Sequence, residues 1–355
     1  MIGDFDTQQR NRGIRTAFPI RGQGPALATG KMAGVTLVEL MVALSIGAFL
    51  MIGAVQVYNQ SRQAYIINES IARVQETAQF ALDTIEADLR MASNWGRTSR
   101  GDSIEGRALV GDANPLGLPA PNGCGANWAL DLTRPIDGTD NAYALGCAAN
   151  GGSQANSDVV TIRRATVDPV TPAAGRLQVQ TTRIQGQLFA DGDVPAGFLH
   201  NPADPFDPDS PSAAHDLLVN SYYVSQTSDL IPGVPTLRRK SLTTQAGAPA
   251  IQDQEVAPGV ENLQLQFGVD VDQDNTIDRY VNPGSPILDP GSGAFIPGAR
   301  VMTARVWLVV RSVSPEIGIV DGRDYEPGNV DLGVPNDEFR RLMVSKTILL
   351  RNART

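Results

Sequence analysis

Carboxylates carry most of the chemistry that this sequence could do. In Asp270-Val271-Asp272-Gln273-Asp274-Asn275-Thr276-Ile277-Asp278, aspartates fall at loop positions 1, 3, 5 and 9, and Thr276 offers a backbone carbonyl at position 7. That oxygen-rich spacing suits a hard cation such as Ca2+. Two positions depart from a standard calcium loop. Asn275 stands where glycine is usual, although Asn tolerates a left-handed turn. Val281 stands where a bidentate glutamate would close the shell, so another segment or water has to complete it. The competing reading is an acidic hairpin turn that returns along Arg279-Tyr280-Val281.

Other reactive side chains are few. Nucleophilic catalysis needs a base beside the nucleophile and a third group to orient that base. The only histidines, His200 and His215, lie in Pro- and Ala-rich stretches, and no Gly-rich phosphate loop follows a strand pattern. The chain therefore reads as a protein without enzymatic activity; a membrane-anchored enzyme is the weakest of the three functional readings. The aspartates of residues 200–211 read as solvated loop charges. Arg100-Gly101-Asp102 spells an adhesion tripeptide, but three residues carry almost no specificity. Cys124 and Cys147 fit no zinc pattern, because both histidines lie far downstream.

Glu39 is the one charge in an almost continuous apolar run, residues 35–57. As a helix rising about 1.5 Å per residue, this run covers the roughly 30 Å hydrocarbon layer of a bilayer. A carboxylate at such a place is expensive and marks a function with a partner. Gly34 directly precedes the run, and Gly34-Val35-Thr36-Leu37-Val38-Glu39-Leu40 closely resembles the prepilin signature of type IV pilins and type II secretion pseudopilins. The resemblance implies that a prepilin peptidase cuts after Gly34, that Val35 becomes the methylated amino terminus, and that Glu39 serves subunit assembly. Val35 replaces the phenylalanine usual in major pilins, which bears on methylation more than on cleavage. In a filament of parallel helices, the Glu39 carboxylate of one subunit could meet the Val35 amine of a neighbour. Such a pair desolvates together, at far lower cost than either charge alone. An incidental carboxylate that snorkels to the interface is the bland alternative. Ala43 and Gly47 make a small-xxx-small pair that permits close helix approach.

Residues 1–34 read as a removable leader, with translation starting at Met1. They hold Arg10, Arg12, Arg15, Arg21 and Lys31 against Asp4 and Asp6, a net of +3. The whole chain carries −9, so the part from Val35 onward carries −12. A body this acidic argues against direct nucleic-acid binding, which depends on phosphate neutralisation. The basic leader keeps the amino terminus cytoplasmic and sends the body outward across the inner membrane. That compartment is oxidising, so Cys124 and Cys147 read as a disulfide, with two unrelated buried thiols as the alternative.

Hydrophobic residues make up 42% of the 355, too few for a multi-span protein, and 35 Gly with 24 Pro favour turns and short strands after the anchor. No proline falls within residues 35–95, and the apolar run passes into an amphipathic one. Ile67, Ile71, Val74, Ala78, Ala81, Ile85 and Leu89 recur at steps of three and four, widened by Phe80 and Leu82. Arg73, Glu76, Asp83, Glu86 and Arg90 read as the polar face, and Gly96 as the stop. Residues 97–152 read as an irregular region stapled by the cysteines. Strand patterns follow at 159–164, 176–184, 217–226, 236–242, 263–267, 302–311 and 342–350. The expected fold class is α+β and pilin-like: a long amino-terminal helix packed on an antiparallel, strand-rich head. The expected divisions are a leader at 1–34, a transmembrane part at 35–57, an amphipathic part at 58–95 and a head at 96–355.

Residues 72–83, continuing through Asp88-Leu89-Arg90-Met91-Ala92, are similar to the helix that follows the anchor in PilW-type pilus assembly proteins, which are minor pilins. Aspartate loops like that at 270–278 also occur in PilW-like proteins. The resemblance implies a single-pass inner-membrane protein that passes into the pilus, with the prepilin peptidase and other minor and major pilins as partners. Its expected role is to prime assembly, with effects on twitching motility. A J-type minor pseudopilin of type II secretion is the alternative; the size of the head and the acidic loop favour the pilus.

Overall fold

The computed structural model describes residues 34–198 and 212–353; the leader up to residue 33, His200 and the aspartates of 200–211 lie outside the described residues. The chain divides into two compact units, Met1–Ser61 and Arg62–Thr355. One helix, α1 (Leu37–Met91), begins in the first and ends in the second. With no proline to interrupt its hydrogen-bond ladder, it runs for 55 residues. Every described residue of the first unit is exposed. Its apolar portion is long and hydrophobic enough to cross a membrane.

Within the second unit, α1 buries Val74, Ala78, Ala81, Leu82, Ile85 and Leu89, the stripe that helical periodicity predicts. The stripe is shorter and narrower than expected. Ile67 is 38% exposed and Phe80 55% exposed, so neither joins the core. The helix stops before Gly96. Ser93 takes a left-handed φ of 64° just beyond Met91, and Gly96, with φ 89°, serves the next turn. A Cβ at Gly96 would meet the His215 ring at 2.4 Å, so only glycine lets the chain pass there.

Among the described residues, two sheets complete this unit. The larger has eight strands: β1 (Ile104–Glu105), β2 (Ile136–Thr139), β3 (Val159–Ala165), β4 (Gln178–Thr181), β5 (Gly186–Phe189), β6 (Ala213–Ser225), β7 (Thr236–Gln245) and β8 (Ala248–Pro258). The smaller has β9 (Val260–Asp270), β10 (Arg279–Val281), β11 (Arg300–Arg311) and β12 (Arg341–Leu349), in the order β10-β9-β11-β12. Pairing is antiparallel except between β1 and β5. The strand expected at 176–184 is present as the shorter β4, which turns back into β5, a strand outside the expected set. The strand β8 has no counterpart among the expected ones. It is joined to β7 by Ala246-Gly247, both at positive φ, which is the twist that a two-residue hairpin requires.

The core has two parts. In one, the α1 stripe meets Val160, Ile162, Tyr222 and Leu237 of the large sheet and Leu265, Phe267, Val306 and Leu308 of the small one. Each Val, Leu, Ile or Phe among them contributes about 1.5–3 kcal/mol by leaving water. The other part gathers Trp95, Trp128, Leu130 and Leu132 against Leu177, Val179, Leu188 and Val219. Residues 97–152 are largely irregular, with only the short strands β1 and β2, yet they supply buried side chains to this second part of the core.

Candidate functional site

The amino-terminal motif starts in extended backbone. Gly34 and Val35 are exposed and precede the helix, and a Cβ added at Gly34 would find open space. Helical bonding begins with Leu40 N–H donating to the Thr36 carbonyl at 3.1 Å. Thr36 N–H and Thr36 Oγ1–H both donate to Oε2 of Glu39, at 3.0 and 3.1 Å, and Glu39 N–H donates to Thr36 Oγ1 at 3.2 Å. This is a reciprocal cap, and its signal in the sequence is Thr followed three residues later by Glu. Ala43 and Gly47 are exposed along the same helix.

The acidic loop is the turn from β9 into β10, which returns along Arg279-Tyr280-Val281 as the hairpin reading has it. Ligand atoms of Asp270, Asp272 and Asp278 lie within 4.8 Å of one another. Asp274 does not join them. Its Oδ1 accepts from Thr276 Oγ1–H at 2.6 Å and Thr276 N–H at 2.7 Å, bonds that hold its carboxyl below the usual range. Asn275 adopts φ 67°, the left-handed turn that Asn tolerates, and Gln273 adopts φ 66°. Asp270 is already engaged: Gln273 N–H donates to Oδ1 at 2.6 Å, while Asn275 N–H and Arg300 Nη2 reach Oδ2 at 3.0 and 3.2 Å. Asp278 accepts from Val271 N–H at 2.7 Å. A cation here has three convergent carboxylates and must compete with Arg300.

Cys124 and Cys147 form a disulfide, which closes the irregular region on itself. His215 is buried in β6, with Nδ1 2.8 Å from the Thr166 carbonyl oxygen, and burial lowers its pKa. Arg100 and Asp102 line a cleft of about 580 Å³ with Arg134, Phe295, Arg300 and Leu350. Gly101 between them answers to packing: a Cβ there would lie 2.0 Å from the Leu132 carbonyl oxygen.

Two carboxylates on α1 carry weight that periodicity does not reveal. Glu86, expected on the polar face, is 7% exposed and pairs with Lys346 of β12 and with Arg90; the Lys346 hydrogen bond holds its pKa low against burial. Asp88 is 4% exposed and binds residues of β3 and β6.

Comparison with known proteins places these features. Residues 30–55 match the family model of the prokaryotic N-terminal methylation motif, and residues 221–352 match that of type IV pilus-assembly protein W. Among solved structures, the type IV-like pilin TTHA1219 from Thermus thermophilus is similar at 15% identity over 57% of this chain and 82% of that one, with a TM-score of 0.26. No curated protein matches the chain. In these matches the chain is type IV pilin-like, and it is built on a long apolar helix and a strand-rich body. More narrowly, the match over its carboxy-terminal third, together with the methylation motif, makes it similar to the PilW type.

Proposed function

We propose that the protein is a minor pilin that helps prime type IV pilus assembly after the prepilin peptidase removes residues 1–34. One observation carries this reading: Glu39, the only charged group in residues 35–57, sits five positions after Gly34 at the open end of a membrane-length helix. In this reading residues 35–57 span the inner membrane with the amino terminus cytoplasmic, residues 58–95 support the head, and residues 96–355 form the head outside. Glu39 meets the Val35 amine of a neighbouring pilin, so that each buried charge offsets the other.

Amino-terminal sequencing of the protein made with the prepilin peptidase tests the processing. The expected product starts at N-methylated Val35; an intact Met1, or any other start, rejects it. For the assembly role, a strain lacking this gene is complemented with wild type or Glu39→Ala and its surface pili are counted. Wild type restores them and Glu39→Ala does not; normal piliation with the variant rejects the role.

A further inference from the structure

The Thr36–Glu39 cap divides the labour of one carboxylate. Thr36 N–H and Oγ1–H both donate to Oε2, whereas Oε1 accepts nothing among the described residues. Thr36 Oγ1 in turn accepts from Glu39 N–H, a first-turn donor with no partner inside the helix. In hydrocarbon no water satisfies such a donor, so its pairing matters more there than at a wet surface. One oxygen of Glu39 thus belongs to its own helix, and the other is left for a cation from outside.

We propose that Thr36 is a positioning residue for Glu39: it fixes the carboxylate on Oε2, so that Oε1 can receive a neighbour's amine without uncapping α1. The inference rests on the reading of the chain as a processed pilin. Without the Thr36 hydroxyl, Glu39 N–H loses its acceptor and the carboxylate loses one of its two donors. Both oxygens are then drawn to the unpaired N–H groups of the first turn, in competition with the neighbour's amine.

The test uses full-length wild type, Thr36→Val, Thr36→Ser and Glu39→Gln in a strain lacking the native gene. Two quantities are read: the mature amino terminus, and the ratio of the subunit in sheared pili to that in the membrane. All four proteins are expected to start at Val35. The ratio falls about fivefold for Thr36→Val, which removes the hydroxyl at constant shape, and stays within about twofold of wild type for Thr36→Ser, which keeps it. Glu39→Gln keeps a capping acceptor but loses the charge, and falls at least as far as Thr36→Val. Normal entry of Thr36→Val, or failure of Thr36→Ser as severe as that of Thr36→Val, overturns the positioning role and leaves the pilin reading standing. A wild type that starts elsewhere than Val35, or Glu39→Gln entering pili normally, overturns the underlying reading and this role with it.

Discussion

The Tyr222 hydroxyl donates to Oδ2 of Asp88 at 2.6 Å, tying β6 to the last turns of α1. Asn220 Nδ2 donates to the same oxygen at 2.7 Å, and Arg164 holds Oδ1 through Nε at 2.9 Å and Nη2 at 2.8 Å. Burial, and then the charge of Asp88, raise the Tyr222 pKa far above that of an ordinary phenol, so the hydroxyl remains a donor. A single carboxylate therefore fastens the helix to two adjacent strands of the large sheet.

Removing that acceptor leaves a guanidinium, an amide and a hydroxyl facing an apolar gap. Asp88→Ala is expected to cost about 3 kcal/mol or more, as breaking a buried charge pair does. Tyr222→Phe deletes one neutral donor and costs about 1–2 kcal/mol. Urea unfolding of the detergent-solubilised protein measures both. Similar small losses for the two variants would show that Asp88 is not the anchor.

Elements with strong periodicity are legible from residue order alone. Val74 through Leu89 line one face of α1, and the alternation in 263–267 and 302–311 marks the centres of β9 and β11. What escapes such a reading depends on partners distant in sequence. β8 contains two prolines and the polar run Gln252-Asp253-Gln254-Glu255, so its strand character comes from pairing with β7. Glu86 and Asp88 look like surface charges until Lys346 and Tyr222, 260 and 134 positions away, are brought beside them. In the candidate site, the spacing of Asp270, Asp272 and Asp278 is readable, but the diversion of Asp274 to Thr276 is not. The cap is readable too, because its pattern is local.

The Cys124–Cys147 bridge closes 23 positions of chain that contain little regular structure. Its contribution acts largely through the unfolded state, at about 3 kcal/mol for a loop of this length. The double replacement Cys124→Ser, Cys147→Ser should lower stability by that amount and make residues 97–152 the first to be cut by protease. An unchanged unfolding midpoint would reject the estimate.

Asp158 brings pH into the head. Its carboxyl is fully buried, with Asn141 N–H on Oδ1 at 2.8 Å and Leu265 N–H on Oδ2 at 2.7 Å. Burial pushes its pKa up to about 7 despite those two donors, and the nearby Asp140 adds to the rise. The unfolded chain releases this proton near pH 4, so the stability it lends is complete below that value and is lost as pH rises through 7. Within that window the ceiling is about 1.4 kcal/mol per pH unit. His215 works in the opposite sense: its pKa is lowered, so it lends stability above its unfolded value and loses it in acid. Only a difference curve isolates Asp158. The unfolding midpoint of wild type relative to Asp158→Asn should decline from pH 5 to pH 8; parallel profiles would exclude a titrating Asp158.

The acidic loop sets Arg300 against any incoming cation. Asp270 offers Oδ2 to Arg300 Nη2 at 3.2 Å, a long contact that a divalent ion at the Asp270, Asp272 and Asp278 oxygens has to displace. With Asp274 turned to Thr276 and no glutamate at 281, any binding is expected to be weak, in the range of extracellular calcium modules, with a Kd of about 10⁻⁴–10⁻³ M. Titration calorimetry of the full-length protein with Ca2+ is expected to show one such site. Asp272→Ala removes a ligand and should abolish the heat. Arg300→Met removes the competitor and should tighten binding, because the ion then takes the Asp270 oxygens without displacing a guanidinium. Silence from wild type and Arg300→Met alike would leave residues 270–278 as a turn between β9 and β10, held by its own backbone bonds to Asp270 and Asp278.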